Sequence, residues 1–190
     1  MKPASLRRIL IACLAAPATL FAQSAGTGLR PGLWEMQIVK QIVDGRDVSA
    51  QVAAATQQMQ QTMAHMPPAE RARMQAMLGG HGMSAGARGY RICVTPQMAK
   101  RRSPILDKEG HCQKSKMTHS GNRTTFAFTC TENGSTTTGT GVSTITEDLV
   151  TTRTRTTTVS SSGEKHTMQM ESKMRYLSPD CGNVKPPAGE

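Results

Sequence analysis

The chain has 190 residues, 37% hydrophobic and 3% aromatic, and 23 Lys and Arg against 13 Asp and Glu give a formal charge of +10. This length holds one ordinary domain with extras and excludes two packed ones. One apolar run, at the N-terminus, excludes a multi-span helical membrane protein, and three Phe, two Tyr and one Trp leave a thin core that must lean on Met, Val, Ile and Leu.

Residues 1–22 read as a cleavable signal peptide. Lys2, Arg7 and Arg8 form a basic start, Ile9 to Phe21 a short apolar run, and Ala22, Ser24 and Ala25 a small-residue end. Cleavage after Ala22 would leave Leu20 at the −3 position; cleavage after Ser24 would place Ala22 there. Leu10-Ile11-Ala12-Cys13 is shaped like a lipobox, but only about four apolar residues precede it. An outer-membrane lipoprotein is therefore the weaker reading, and the periplasm is the expected compartment. Loss of Lys2, Arg7 and Arg8 lowers the formal charge from +10 to +7. Such a protein could touch anionic headgroups or polyanionic glycans at a membrane periphery. Nucleic acid is not expected, because the basic residues are scattered and aromatics among them are few.

Residues 23–30 are small and polar, as a flexible leader would be. A single β-rich domain is predicted over 31–182. Leu33 to Val43 predicts a strand with Trp34, Met36, Ile38 and Ile42 on one face and Glu35, Gln37 and Gln41 on the other; Lys40 interrupts the apolar face. Residues 48–79 are rich in Ala, Gln and Met and predict a helical insert: a helix from Ser49, as N-cap, to His65, a break at Pro67-Pro68, and a second helix ended by Gly79-Gly80. Residues 80–88 read as a loose Gly-rich loop. Tyr90 to Val94 is a short strand, Pro96 to Arg102 one helical turn, and 103–113 a loop holding Cys112. Strands follow at 114–119, 123–130, 136–146, 149–160 and 166–177, separated by turn signals such as Ser120-Gly121-Asn122 and Asn133-Gly134. In the last strand Met168, Met170, Met174 and Tyr176 face one way and Gln169, Glu171, Lys173 and Arg175 the other. Dense Thr from 118 to 167 suits exposed strand faces. Residues 183–190 are a Pro/Gly tail expected to be disordered. The fold class is mainly β (α+β): a curled antiparallel meander or open barrel of about seven strands with an inserted Met-rich helical hairpin.

Without Cys13, four cysteines remain: Cys93, Cys112, Cys130 and Cys181. An even count in an exported chain reads as two disulfides. Of the three pairings, Cys93–Cys112 with Cys130–Cys181 is expected, the first closing a short Pro-containing loop and the second tying a mid-sheet strand to the end of the chain. Each would stabilise by about 3–4 kcal/mol. The spacing lacks a Cys-x-x-Cys pair, against a zinc site or a thioredoxin-like role.

Pro31-Gly32-Leu33-Trp34-Glu35, then Ile92-Cys93-Val94-Thr95-Pro96, Cys112, Phe128-Thr129-Cys130 and Asp180-Cys181, resemble the domain-of-unknown-function family 3617. Met66 to Met74 resembles the Met-rich helical insert of many members. The resemblance implies a small protein exported to the periplasm of Gram-negative bacteria, a four-cysteine framework and a β-rich fold. It carries no established activity and hence no catalytic residue.

No Gly-x-Ser-x-Gly, His-Glu-x-x-His or phosphate loop is present. His65, His81, His111, His119 and His166 are dispersed, and no nucleophile, base and orienting group can be named together. A non-enzymatic protein without a cofactor is expected. The sharp chemical signal is Met59, Met63 and Met66 at helical spacing with His65 beside them, since thioether and imidazole suit Cu(I); packing is the plainer explanation of such a stripe. Trp34, Phe126, Phe128, Met168, Met170 and Met174 are the candidate lining of an apolar-ligand site beneath a helical lid. The expected function is binding of an apolar or envelope-derived partner, with Cu(I) binding or a purely structural envelope role as alternatives.

Overall fold

The computed structural model describes residues 28–80, 83–101 and 112–186. The predicted signal peptide, Cys13, most of the leader, His81, His111 and residues 187–190 lie outside them.

Nine strands form one antiparallel sheet: β1 (Gly32–Val43), β2 (Arg46–Asp47), β3 (Met83–Ala85), β4 (Tyr90–Val94), β5 (Cys112–Ser120), β6 (Arg123–Glu132), β7 (Ser135–Ile145), β8 (Leu149–Val159) and β9 (Lys165–Ser178). Their order is β3-β4-β1-β9-β8-β7-β6-β5, with β2 also paired to β1. β5 to β9 are the expected meander. The β6–β7 turn places Asn133 and Gly134 both at positive φ, 48° and 74°, as a two-residue hairpin turn requires. β9 then pairs with β1, joining the last strand to the first. The sheet is not closed into a barrel: β3 and β5 occupy its two ends. The two strands beyond the expected seven are β2 and β3, too short to leave a periodic signal; β3 lies in the expected loose loop.

Among the described residues three helices join the strands. α1 (Ser49–His65) and α2 (Pro68–Gly80) are the predicted hairpin, and α3 (Pro96–Arg101) is the predicted single turn. α1 packs on β1 and α2 on β3. Ser49 does not act as the cap. Its hydroxyl instead joins the helix start to β1, accepting from the Gln41 backbone N–H at 2.9 Å and bonding the Asp47 carboxylate. At the hairpin corner Arg71 Nη2 donates to the carbonyls of Ala64 (3.1 Å) and Met66 (3.0 Å), groups the end of α1 leaves unpaired.

The core gathers at one end of the sheet. Fully buried Trp34 packs with Val94, Met98, Ala99, Ile145 and Val150, flanked by Leu29, Met174 and Tyr176. Trp34 donates its indole N–H to the Arg30 carbonyl (2.9 Å) and meets Tyr176 edge-on at 5.4 Å. The Arg30 guanidinium lies 4.0 Å over the Tyr176 ring and bonds Asp148 at 2.6 Å. Leu29 and Arg30, assigned to the leader by sequence, are thus part of the packed structure.

Cysteine pairing differs from expectation. The bonds are Cys93–Cys181 and Cys112–Cys130. Cys112 is not in a loop; it begins β5 and stands directly opposite Cys130 of β6. Cys93 lies on β4 opposite Leu33 of β1, and β9 on the other side of β1 delivers Cys181. Two such bonds indicate an oxidising, non-cytoplasmic setting. No helix of the described residues is long and apolar enough to cross a membrane.

Candidate functional site: a cationic groove on the open face of the sheet

Strand alternation puts successive side chains on opposite faces. In β1 that rule is interrupted. Register shifts between Ile38 and Lys40, a β-bulge at Val39. Before it, Trp34, Met36 and Ile38 share the apolar face. After it, Lys40 and Ile42 move to the opposite face, and Gln41 and Val43 take their place. The expectation that Ile42 shares the face of Trp34 is therefore corrected, and Lys40 no longer interrupts an apolar surface.

The bulge completes two rows of cross-strand neighbours. One runs Thr118, Thr125, Val142, Arg153, Glu171, Lys40; the other runs Lys116, Ala127, Thr140, Arg155, Gln169, Ile42. Between them the strand backbones at Phe126, Gly141, Thr154 and Met170 form a floor. These rows bound a groove of about 660 Å³ that crosses six strands from β5 to β1. At about 4.8 Å per strand its arc is about 24 Å long. A second hollow of about 380 Å³ continues it past Thr129, Thr138 and Thr157.

The groove is cationic. Lys40, Lys116, Arg153 and Arg155 line it against one carboxylate, Glu171. Arg153 grips Glu171 through two hydrogen bonds, Nε at 2.8 Å and Nη2 at 3.3 Å. That bond lowers the Glu171 pKa and raises that of Arg153. Among the described residues Lys40, Lys116 and Arg155 contact no carboxylate, although the field of Lys40 reaches Glu171 and Asp47. Arg123, Lys165, Lys173 and Arg175 occupy the same face outside the groove. Three threonine hydroxyls, an amide and the small apolar groups of Ile42, Ala127 and Val142 complete the lining.

Residues 29–181 match the family described as "Protein of unknown function (DUF3617)". The chain belongs to that family. An uncharacterized protein in the lpd-3 5' region of Pseudomonas putida is 32% identical over 103 residues, 54% of this chain and 69% of that protein. No solved structure matches.

In this DUF3617 chain the segment Pro31 to Glu35 does structural work. Gly32, at φ +134°, would place a Cβ 2.3 Å from the Ser178 carbonyl oxygen, Trp34 anchors the core, and buried Glu35 accepts from the Arg88 N–H at 3.3 Å and faces Arg91 at 4.0 Å. Trp34, Met174, Phe126, Phe128, Met168 and Met170, the predicted ligand set, do share one face, but the groove opens on the other. Trp34 and Met174 belong to the core cluster. Phe126 and Phe128 stack at 6.3 Å and cover Gly141 and Gly139 of β7. Only Phe126 and Met170 reach the groove, through its floor.

The Cu(I) set is split as well. Met63 is buried and Met59 and Met66 half-buried, whereas His65 is exposed. At about 100° per residue His65 points about 200° away from Met63. A site there would rest on thioethers alone. Among the described residues no three of His, Cys, Asp and Glu gather as a metal site. The groove residues Lys40, Ile42, Lys116 and Arg155 escaped sequence reasoning. The one available signal was the alternation that sets Arg153 and Arg155 on a common face.

Proposed function

We propose that this DUF3617 protein is a non-enzymatic periplasmic protein that holds an envelope-derived ligand in the groove between the row of Lys40 and the row of Ile42. The observation that carries the reading is the groove itself. Its volume, about 660 Å³, lies within the range of ligand sites, and it opens on the face of the sheet opposite the core cluster. The periplasmic assignment draws on the two disulfides and on the basic-then-apolar pattern of residues 1–22.

Native mass spectrometry of the protein isolated from its own periplasm tests this. A bound mass is expected, and it is expected to vanish in Val142→Trp, which fills the groove without adding charge, with circular dichroism otherwise native. An empty wild-type mass would overturn the proposal. Bound copper retained in Val142→Trp would do so too, in favour of the thioether stripe of α1.

A further inference from the structure

We infer that the occupant of the groove is an extended polyanion, an acidic polysaccharide carrying a carboxylate or similar anion on successive units; this rests on the groove being the binding site. The argument is one of spacing. Lys116 stands on β5, Arg155 on β8 and Lys40 on β1. Along the order β5-β6-β7-β8-β9-β1 these strands are three and then two intervals apart, about 14 Å and about 10 Å. Charges that far apart are separated by a Debye length or more at physiological salt. One compact headgroup engages one of them at a time. A chain with anions spread over more than 20 Å engages all three.

The lining between the cations agrees with that occupant. Thr118, Thr125, Thr140 and Gln169 offer hydroxyl and amide groups to sugar hydroxyls, and the small side chains of Ala127 and Val142 let a chain lie close to the sheet. Arg153 is already held by Glu171 and sets the position of that carboxylate away from Arg155. The threonine-lined hollow beyond Thr129 extends the same hydroxyl surface.

The probe is a series of oligogalacturonates, from dimer to octamer, titrated calorimetrically into the mature, disulfide-bonded protein. Affinity is expected to rise with length until about 24 Å is spanned and to weaken with added salt. Lys40→Glu, Lys116→Glu and Arg155→Glu should each weaken octamer binding about tenfold or more and flatten the length dependence. Lys173→Glu, which changes the net charge equally on the same face outside the groove, should cost less than about twofold. Equal loss in Lys173→Glu would overturn the inference in favour of a general surface field. Binding of a neutral dextran oligomer or of lysophosphatidylglycerol as tightly as the octamer, lost in Val142→Trp, would overturn it while leaving the groove as the ligand site. Tight binding of single-stranded DNA with the same length and variant profile would reassign the polyanion. No binding of any of these, together with an empty mass from the periplasm, would remove both proposals.

Discussion

Phe126 of β6 lies flat on Gly141 of β7: a Cβ built on that glycine would stand 2.3 Å from the ring's Cζ. The same relationship joins Phe128 to Gly139. In a chain with so few aromatics, these two rings supply the cover that the Thr/Gly strand cannot provide for itself. Gly141→Ala should lift the Phe126 ring and destabilise the protein by about 1–3 kcal/mol, the usual cost of overpacking. Urea denaturation checks this; Gly141→Ala in a Phe126→Leu background should cost clearly less.

The two disulfides close loops of different size. Cys93 and Cys181 are 88 residues apart and Cys112 and Cys130 are 18 apart. Chain entropy assigns about 4–5 kcal/mol to the first and about 3 kcal/mol to the second. Replacing Cys93 and Cys181 with Ser should therefore lower stability more than replacing Cys112 and Cys130. Non-reducing peptide mapping should recover the 93–181 and 112–130 fragments, and mapping that returned 93–112 would refute the pairing.

A charged latch holds the turn after β1 to the start of β9. His166 Nδ1 meets Asp44 Oδ2 at 2.9 Å, Asp44 Oδ1 accepts from the Thr167 N–H at 2.7 Å, and Glu164 lies 3.4 Å from His166 Nε2. The hydrogen bond to Asp44, then the charges of Asp44 and Glu164, raise the His166 pKa above its ordinary 6.5. The His166 and Thr167 bonds lower that of Asp44 below 3.8. The His166 contribution is fully present below pH 6.5 and is lost as pH rises through the raised folded value. The Asp44 contribution is present above pH 3.8 and is lost as pH falls through the lowered one. The latch is strongest between those limits, and its exposure keeps the effect small. Urea midpoints should be higher at pH 5.5 than at pH 8.5 by a margin that shrinks in His166→Gln, and an NMR titration of His166 should give a midpoint above 6.5.

Deleting Val39 removes the bulge without changing the partners that follow it: Lys40 stays opposite Glu171 and Ile42 opposite Gln169, so both keep the groove face. The expected outcome, checked by calorimetry, is retained octagalacturonate binding, and Lys40→Glu should weaken it in the deletion variant as it does in the intact chain.

That bulge also marks where sequence reading stops. The two helices, the Pro96 turn and β5 to β9 were legible, because period-2 alternation and turn signals such as Asn133-Gly134 are local. The faces of β9 were legible for the same reason. An extra residue at Val39 carries no local mark beyond an ill-placed Lys40, so simple alternation puts Lys40 and Ile42 on the wrong face and hides the groove with them. The disulfide pairing failed for a related reason. The predicted strand starts at Lys114, two residues past Cys112, so Cys112 falls in the expected loop although it begins a strand opposite Cys130. β2 and β3 exist only because β1 and β4 offer them partners.

The pairing of Gly32–Val43 with Lys165–Ser178 has a consequence for biosynthesis. Leu33 meets Ser178 across the sheet, so the strand carrying Trp34 gains its second neighbour only after residues 165–178 have been made. A nascent chain cannot finish its centre early. It emerges with that strand half-partnered, and any truncation that removes Lys165–Ser178 leaves the strand exposed to proteases and to association with other unfinished chains.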